Sequence, residues 1–231
     1  MIMLAVAFLL GMILCLLFGV PYIDFLRKHM IGQYVKDCAP EAHAKKQGTP
    51  TTGGIFIILA VMLGSVITLA MAQRLNTEAF IILLSLLFYT FAGFQDDYIK
   101  LKGKGNDGLT PRGKLLRQIA IAMLPTLYLM MSKSGAGDVA IGHYILHLGW
   151  FYPVFAVFVI TGASNAYNLT DGLDGLAAST GIFSFLACAL ICLFSGYPEA
   201  SIISAAVAGA LAGFLKYNKL KAQVFMGDTG S

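Results

Sequence analysis

From Met1 to Val20 the sequence carries no charged residue, and runs of this kind recur to its end. A bilayer core about 30 Å thick takes roughly 20 apolar residues in a helix, and inside it every backbone polar group must be bonded internally. Seven segments meet that demand: Met1–Val20, Gly54–Ala72, Ala79–Phe94, Leu115–Met131, a run from Trp150 that ends near Asn165–Asn168, Leu176–Phe194 and Ala200–Leu215. The fourth is interrupted by Arg117, Gln118 and Pro125. Hydrophobic residues make up 58% of the chain and charged ones 12%, which excludes an ordinary soluble domain. The expected fold is all-α, a polytopic transmembrane bundle of about seven spans. Residues 1–231 then form a single integral membrane domain. Met1–Val20 lacks a basic leader and a small-residue cleavage site, so it reads as a retained span that ends at Pro21.

Seven spans divide the loops between two sides. Fourteen of the sixteen Lys and Arg fall on one side, leaving only Arg74 and Lys133 on the other. By the positive-inside rule the N-terminus is outside and the tail from Lys216 is cytoplasmic. The basic loops lack an aromatic platform and are explained by topology, so no nucleic-acid partner is expected. The Val139–Leu148 stretch alternates weakly around Gly142, which predicts a small β-hairpin between the fourth and fifth spans. Ala and Gly are frequent in the seventh span, which suits close helix packing and suggests self-association, with a homodimer as the simplest form.

The acidic residues are placed unevenly. Asp96, Asp97, Asp171, Asp174 and Asp228 all fall near span ends on the basic side. Carboxylates beside a bilayer are costly and usually functional. Asp96 and Asp97 end a helix whose C-terminal dipole repels them, so a cation must offset the cost. Adjacent carboxylates point different ways, so one can bind metal while the other accepts a proton. Asn168, Asp171 and Asp174, at i, i+3 and i+6, fan over one side if helical, and Gly172 and Gly175 loosen the backbone there. Such oxygen donors suit magnesium with phosphate. Before the second span, Lys45-Lys-Gln-Gly-Thr-Pro-Thr-Thr-Gly-Gly54 can approach an anion, or can be a loop whose Thr51 or Thr52 caps the helix. At the tail, Gly227 and Gly230 flank Asp228, and Phe225 can stack on a flat base; alone this is also an ordinary polar turn. The four histidines and four cysteines have no metal-site spacing and read as structural.

As a set these motifs resemble the phospho-N-acetylmuramoyl-pentapeptide transferase family, within the polyprenyl-phosphate N-acetylhexosamine-1-phosphate transferases. The residues that carry the resemblance are KQGTPTTGG (46–54), GFQDDYIK (93–100), GLTPRGKLL (108–116), NAYNLTDGLDGLA (165–177) and FMGDTGS (225–231), in this order relative to the spans. The resemblance implies a bacterial plasma-membrane enzyme with its active site on the cytoplasmic face. It would transfer phospho-MurNAc-pentapeptide from UDP-MurNAc-pentapeptide to undecaprenyl phosphate, giving lipid I and UMP with magnesium. By the same resemblance Asp228 is the magnesium ligand, and Asp96 and Asp97 are the essential pair, Asp96 deprotonating the lipid phosphate. Asn168 and Asp171 line the nucleotide–metal site, and Lys46 and Thr51 touch substrate. Asn218 and Phe225 hold the uracil, and Lys100 and Lys114 meet phosphates. Family members continue past the last motif with further spans and a His-bearing loop, so the resemblance implies that this part of the fold is missing here. Other readings are a sister enzyme moving N-acetylglucosamine-1-phosphate, a non-catalytic fragment, or a transporter. A transporter should show related halves, and the sequence has no internal repeat.

Overall fold

A computed structural model describes residues 1–29, 49–103, 108–132 and 137–231. Among them are seven long helices: α1 (Ile2–Lys28), α2 (Gly54–Met71), α3 (Thr77–Gly103), α4 (Pro111–Ser132), α5 (Tyr152–Thr170), α6 (Leu176–Phe194) and α7 (Pro198–Asn218). Six are long and apolar enough to cross a membrane. The remaining one, α5, has 19 residues, and Asn165 and Asn168 dilute its final turns. The architecture is thus an all-α membrane bundle, as the apolar runs require.

Two helices run further than the sequence suggests. Pro21 lies inside α1, which continues to Lys28. Its last turns bury Ile23 and Leu26 and expose Asp24 and Arg27, so packing on one face sustains them. In the turn below Pro21 the Leu16 carbonyl accepts a bond from the Tyr217 hydroxyl at 2.8 Å. Likewise α3 does not stop at Gln95 but carries the acidic pair onward to Gly103. The Asp96 carboxylate meets Lys100 one turn on, at 2.5 Å, and Lys100 and Lys102 fall in the last turn, where cations offset the helix dipole.

The most enclosed helix is α7, which packs against α1, α6 and α2. It runs parallel to α1: its Gly209 lies against the Phe8 carbonyl, where a Cβ would collide, and Tyr217 reaches Leu16 further along both helices. The small residues Ala205, Ala206, Ala208, Gly209 and Ala210 are all buried in this packing. This packing is made within one chain, against α1, α2 and α6. A second group, α3, α4 and α5, packs α4 between its neighbours.

At one end of the bundle Glu199, the acidic residue in the first turn of α7, accepts from Asn76 at 2.8 Å and pairs with Arg74 at 3.4 Å. Between α4 and α5 the expected hairpin is present, β1 (Asp138–Ile141) against β2 (Tyr144–His147), with Gly142 at φ +61° in the two-residue turn. His147 meets Asp138 across this ladder at 2.7 Å, a structural use of that histidine. The opposite end gathers the C-termini of α1, α3, α5 and α7 and the N-termini of α2, α4 and α6.

Candidate active site

The chain after α7 turns back and lies along the start of α2. Phe225 donates its amide to the Pro50 carbonyl at 2.8 Å, and Gly53 and Gly54 donate theirs to the carbonyls of Phe225 and Met226, both at 2.9 Å. The first N–H groups of a helix have no partner within it, so this return strand caps α2. Neither Thr51 nor Thr52 does so, which corrects one reading of the TPTTGG stretch: the capping position is Gly53, with no side-chain bond. Thr52 stands at φ +69°, costly for a β-branched residue. Its hydroxyl donates to the Thr51 carbonyl and meets the Tyr22 hydroxyl at 3.1 Å, which ties α1 to this turn. Thr51 itself is buried. Lys46 lies outside the described residues.

Beyond Met226 the chain makes a tight turn at Gly227, φ +74°, that presents Asp228 to α3, α4 and α5 together. Asp97 holds the turn from below. It accepts bonds from the amides of Asp228 (3.1 Å) and Thr229 (2.9 Å) and from the Thr229 hydroxyl (2.5 Å), and it is buried. Asp228 then receives Lys100 of α3 and Lys114 of α4 on Oδ2, at 2.9 and 2.8 Å, and Asn168 of α5 on Oδ1 at 2.9 Å. Asn168 also donates to the Ser231 hydroxyl at 2.7 Å. Asp96 shares Lys100 and accepts the Leu109 amide at 2.7 Å. Burial opposes ionisation of Asp228. The bonds from Lys114 and Asn168, together with the Lys100 charge, outweigh that and hold it well below the usual carboxylate range.

Five of the residues expected at the site, Asp96, Asp97, Lys100, Lys114 and Asn168, therefore meet around the sixth, Asp228. Three others lie aside. Asp171 ends α5 as its C-terminal cap, so Asn168, Asp171 and Asp174 do not continue as one helical face. Asp174 instead accepts the Ala222 amide at 3.2 Å. Asn218 is 1% exposed and fully engaged: it accepts the Gly175 amide at 3.0 Å and donates to the Val224 carbonyl at 3.0 Å. It joins the turn before α6 to the return strand. Phe225, half-buried, follows directly.

A cavity of about 360 Å³ opens beside this cluster. Its lining combines polar residues, among them Lys114, Arg117, Gln118, Asn168, Asp228 and Ser231, with a larger apolar surface that includes Val61, Leu86, Ile160, Phe185, Val207 and Leu211. It lies where the α3–α5 group faces α2, α6 and α7. Gln118, Thr229 and Ser231 join the expected residues here; the sequence marks Gln118 only as a carboxamide within an apolar run, and the other two only by their place beside Asp228.

A charged cluster at the end of a membrane bundle thus adjoins a largely apolar cleft. Residues 79–231 match the family described as glycosyl transferase family 4. The phospho-N-acetylmuramoyl-pentapeptide transferase of Halalkalibacterium halodurans is 40% identical over 226 residues, 96% of this chain and 69% of that protein. The enzyme of the same name from Oceanobacillus iheyensis is 41% identical over 240 residues, 100% of this chain and 71% of that protein. One from Listeria monocytogenes is 38% identical over 231 residues, 98% and 69% respectively. The chain belongs to the phospho-N-acetylmuramoyl-pentapeptide transferase family.

Proposed function

We propose that this protein transfers phospho-MurNAc-pentapeptide from UDP-MurNAc-pentapeptide to undecaprenyl phosphate, forming lipid I and UMP for peptidoglycan synthesis. The observation that carries the reading is the position of Asp228, between two lysines and an asparagine beside a cleft whose lining is mostly apolar. The charged cluster suits a phosphate and the apolar lining a polyprenyl chain. On this reading the site faces the cytoplasm of a bacterial plasma membrane, with the N-terminus outside and the chain acting as one integral membrane domain, and the excess of Lys and Arg on the side of the site supports that orientation.

The reaction joins two anions, so charge neutralisation and alignment supply most of the catalysis. Asp96 and Asp228 share two ammonium groups, Lys100 and Lys114, while Asp97 holds the turn behind them. Magnesium takes one or two carboxylates and completes its shell with water and phosphate oxygens, and Asp228, with Asp96 beside it, fits that donor set. When bound there it would neutralise the diphosphate. Lys100 and Lys114 turn from Asp228 to the phosphates as substrate enters. Asp96 takes the proton from the lipid phosphate, whose oxygen attacks the sugar-linked phosphorus. The bond to the bridging oxygen breaks, and UMP leaves with the electron pair. Asn168 orients Asp228, Asp171 lies one turn on toward the nucleotide, and the family resemblance assigns Lys46 and Thr51 to contacts with substrate. Asp97 is a positioning residue here, since its bonds are spent on Asp228 and Thr229. Phe225 stacks on uracil, and Asn218 supports the backbone that presents it.

The test is to supply the purified chain, in detergent with magnesium, with undecaprenyl phosphate and either UDP-MurNAc-pentapeptide or UDP-N-acetylglucosamine. The proposal expects lipid I and UMP in equal amounts from the first donor only. Turnover of the second alone would move the protein to the sister activity.

A further inference from the structure

One turn deeper than the Asp228 cluster, a second set of polar groups ties α3, α4 and α5 together. Gln118 follows Lys114 by four residues on α4, and Asn165 precedes Asn168 by three on α5, so each pair shares a helix face. Asn165 donates to the Gln118 side-chain carbonyl at 2.8 Å and to the Thr161 carbonyl at 2.9 Å. Gln118 returns a bond to the Asn165 side-chain oxygen at 3.4 Å. From α3, the Tyr89 hydroxyl donates to the Gln118 backbone carbonyl at 3.0 Å. Gln118 is 5% exposed, and it lines the cleft.

We propose that the reciprocal amide pair Gln118–Asn165 is a positioning device that sets α4 against α5 so that Lys114 and Asn168 grip opposite oxygens of Asp228. The two helices are joined by two rungs. The lower rung is the amide pair itself. The upper runs from Lys114 through Asp228 to Asn168. Apolar helix faces slide and rotate by small amounts at little cost, whereas a reciprocal amide pair closes in one register only. Rotation or sliding of α4 displaces Lys114 and leaves Lys100 in place, because Lys100 is held by Asp96 on its own helix. Interhelical hydrogen bonds in membranes contribute modestly to association. A purely adhesive role therefore predicts a small loss spread over the whole bundle, and a positioning role predicts a local one. The consequence for turnover rests on the transferase reading, but the geometry does not.

The experiment uses the full chain in detergent and two changes, Gln118→Leu and the exchange Gln118→Asn with Asn165→Gln, which keeps the combined length of the pair. The rate at which each lysine amine is modified by a mild acylating reagent is read residue by residue by mass spectrometry. In Gln118→Leu the Lys114 rate should rise about threefold or more as its ion pair opens more often. Lys100 should be unchanged, and the exchange variant should restore Lys114. An unchanged Lys114, or Lys100 and Lys114 rising together with a lowered melting temperature, overturns the proposal. Turnover is the second readout. Gln118→Leu should lose about 10–100-fold in kcat with KM for the UDP-sugar little changed, and the exchange should recover most of it. Full turnover in Gln118→Leu, beside an active parent, also overturns the proposal. A parent with no turnover contradicts the transferase reading alone, and the lysine rates then decide whether the pair positions Lys114.

Discussion

Asp97 takes both the amide and the hydroxyl of Thr229 on one carboxylate oxygen, at 2.9 and 2.5 Å, across 132 residues of sequence. With the Asp228 amide on its other oxygen, this makes α3 the anchor of the turn that carries Asp228. Asp97→Asn puts an N–H₂ group among three donors. The change should cost about 1–3 kcal/mol, the usual range for leaving buried polar groups unsatisfied. Thermal unfolding in detergent should show the loss, and transferase activity should fall with it. Asp97→Glu, which keeps the charge and changes the reach, should retain part of the stability but not the rate.

Gly227 has a second claim on the same turn. Its φ of +74° disfavours any side chain, and a Cβ there would lie 2.6 Å from an Asp97 oxygen. Gly227→Ala should therefore displace Asp228 and reduce turnover by about tenfold or more while the bundle stays folded. Activity measured beside a melting curve separates the two effects.

The electrostatics of Asp228 give a pH dependence of definite sign. Its folded carboxyl lies below the ordinary range, so the ionised form contributes stability that is complete above the unfolded pKa of about 3.9 and fades as pH falls through the lower folded value. Melting temperatures of the parent and Asp228→Asn, both in chelator, should differ by a constant amount from pH 8 to about 5. The gap should begin to close only below about pH 4. A gap that closes between pH 7 and 5 would mean that the lysines do not hold the carboxylate as described.

The far end of the bundle provides a contrast. Glu199 is 4% exposed and bonded by Asn76 and Arg74. Glu199→Ala should destabilise the protein by about 1–3 kcal/mol. Because the contact is remote from Asp228, KM for either substrate should not change when assayed below the melting transition.

Much of the fold was legible because membrane helices are written as long apolar runs, and six of the seven helices pass that criterion outright. Their ends were less so. Pro21 and the Asp96–Asp97 pair look like terminators, yet packing of Ile23 and Leu26 and the Lys100 partner carry both helices onward. The carboxylates stood out in the sequence because few lie beside spans, whereas Lys100 and Lys114, two of many basic residues on that side, came from the family resemblance alone. The division of labour among them could not be read there. That Asp97 faces Thr229 while Asp96 faces Lys100 follows from the rotation of α3, and that Asn218 is closed off at both ends follows from the path of the return strand. Gln118 was hidden for a related reason: a single carboxamide in an apolar helix reads as a blemish until its partner on α5 is seen.

The most direct test of the account is UMP release from UDP-MurNAc-pentapeptide by the purified chain, with undecaprenyl phosphate present, in magnesium and in chelator, beside Asp228→Asn. The account predicts magnesium-dependent release with lipid I formed in step, and a rate lower by about 100-fold or more in the variant. A variant that keeps the parent rate, or a folded parent that releases no UMP, would contradict it.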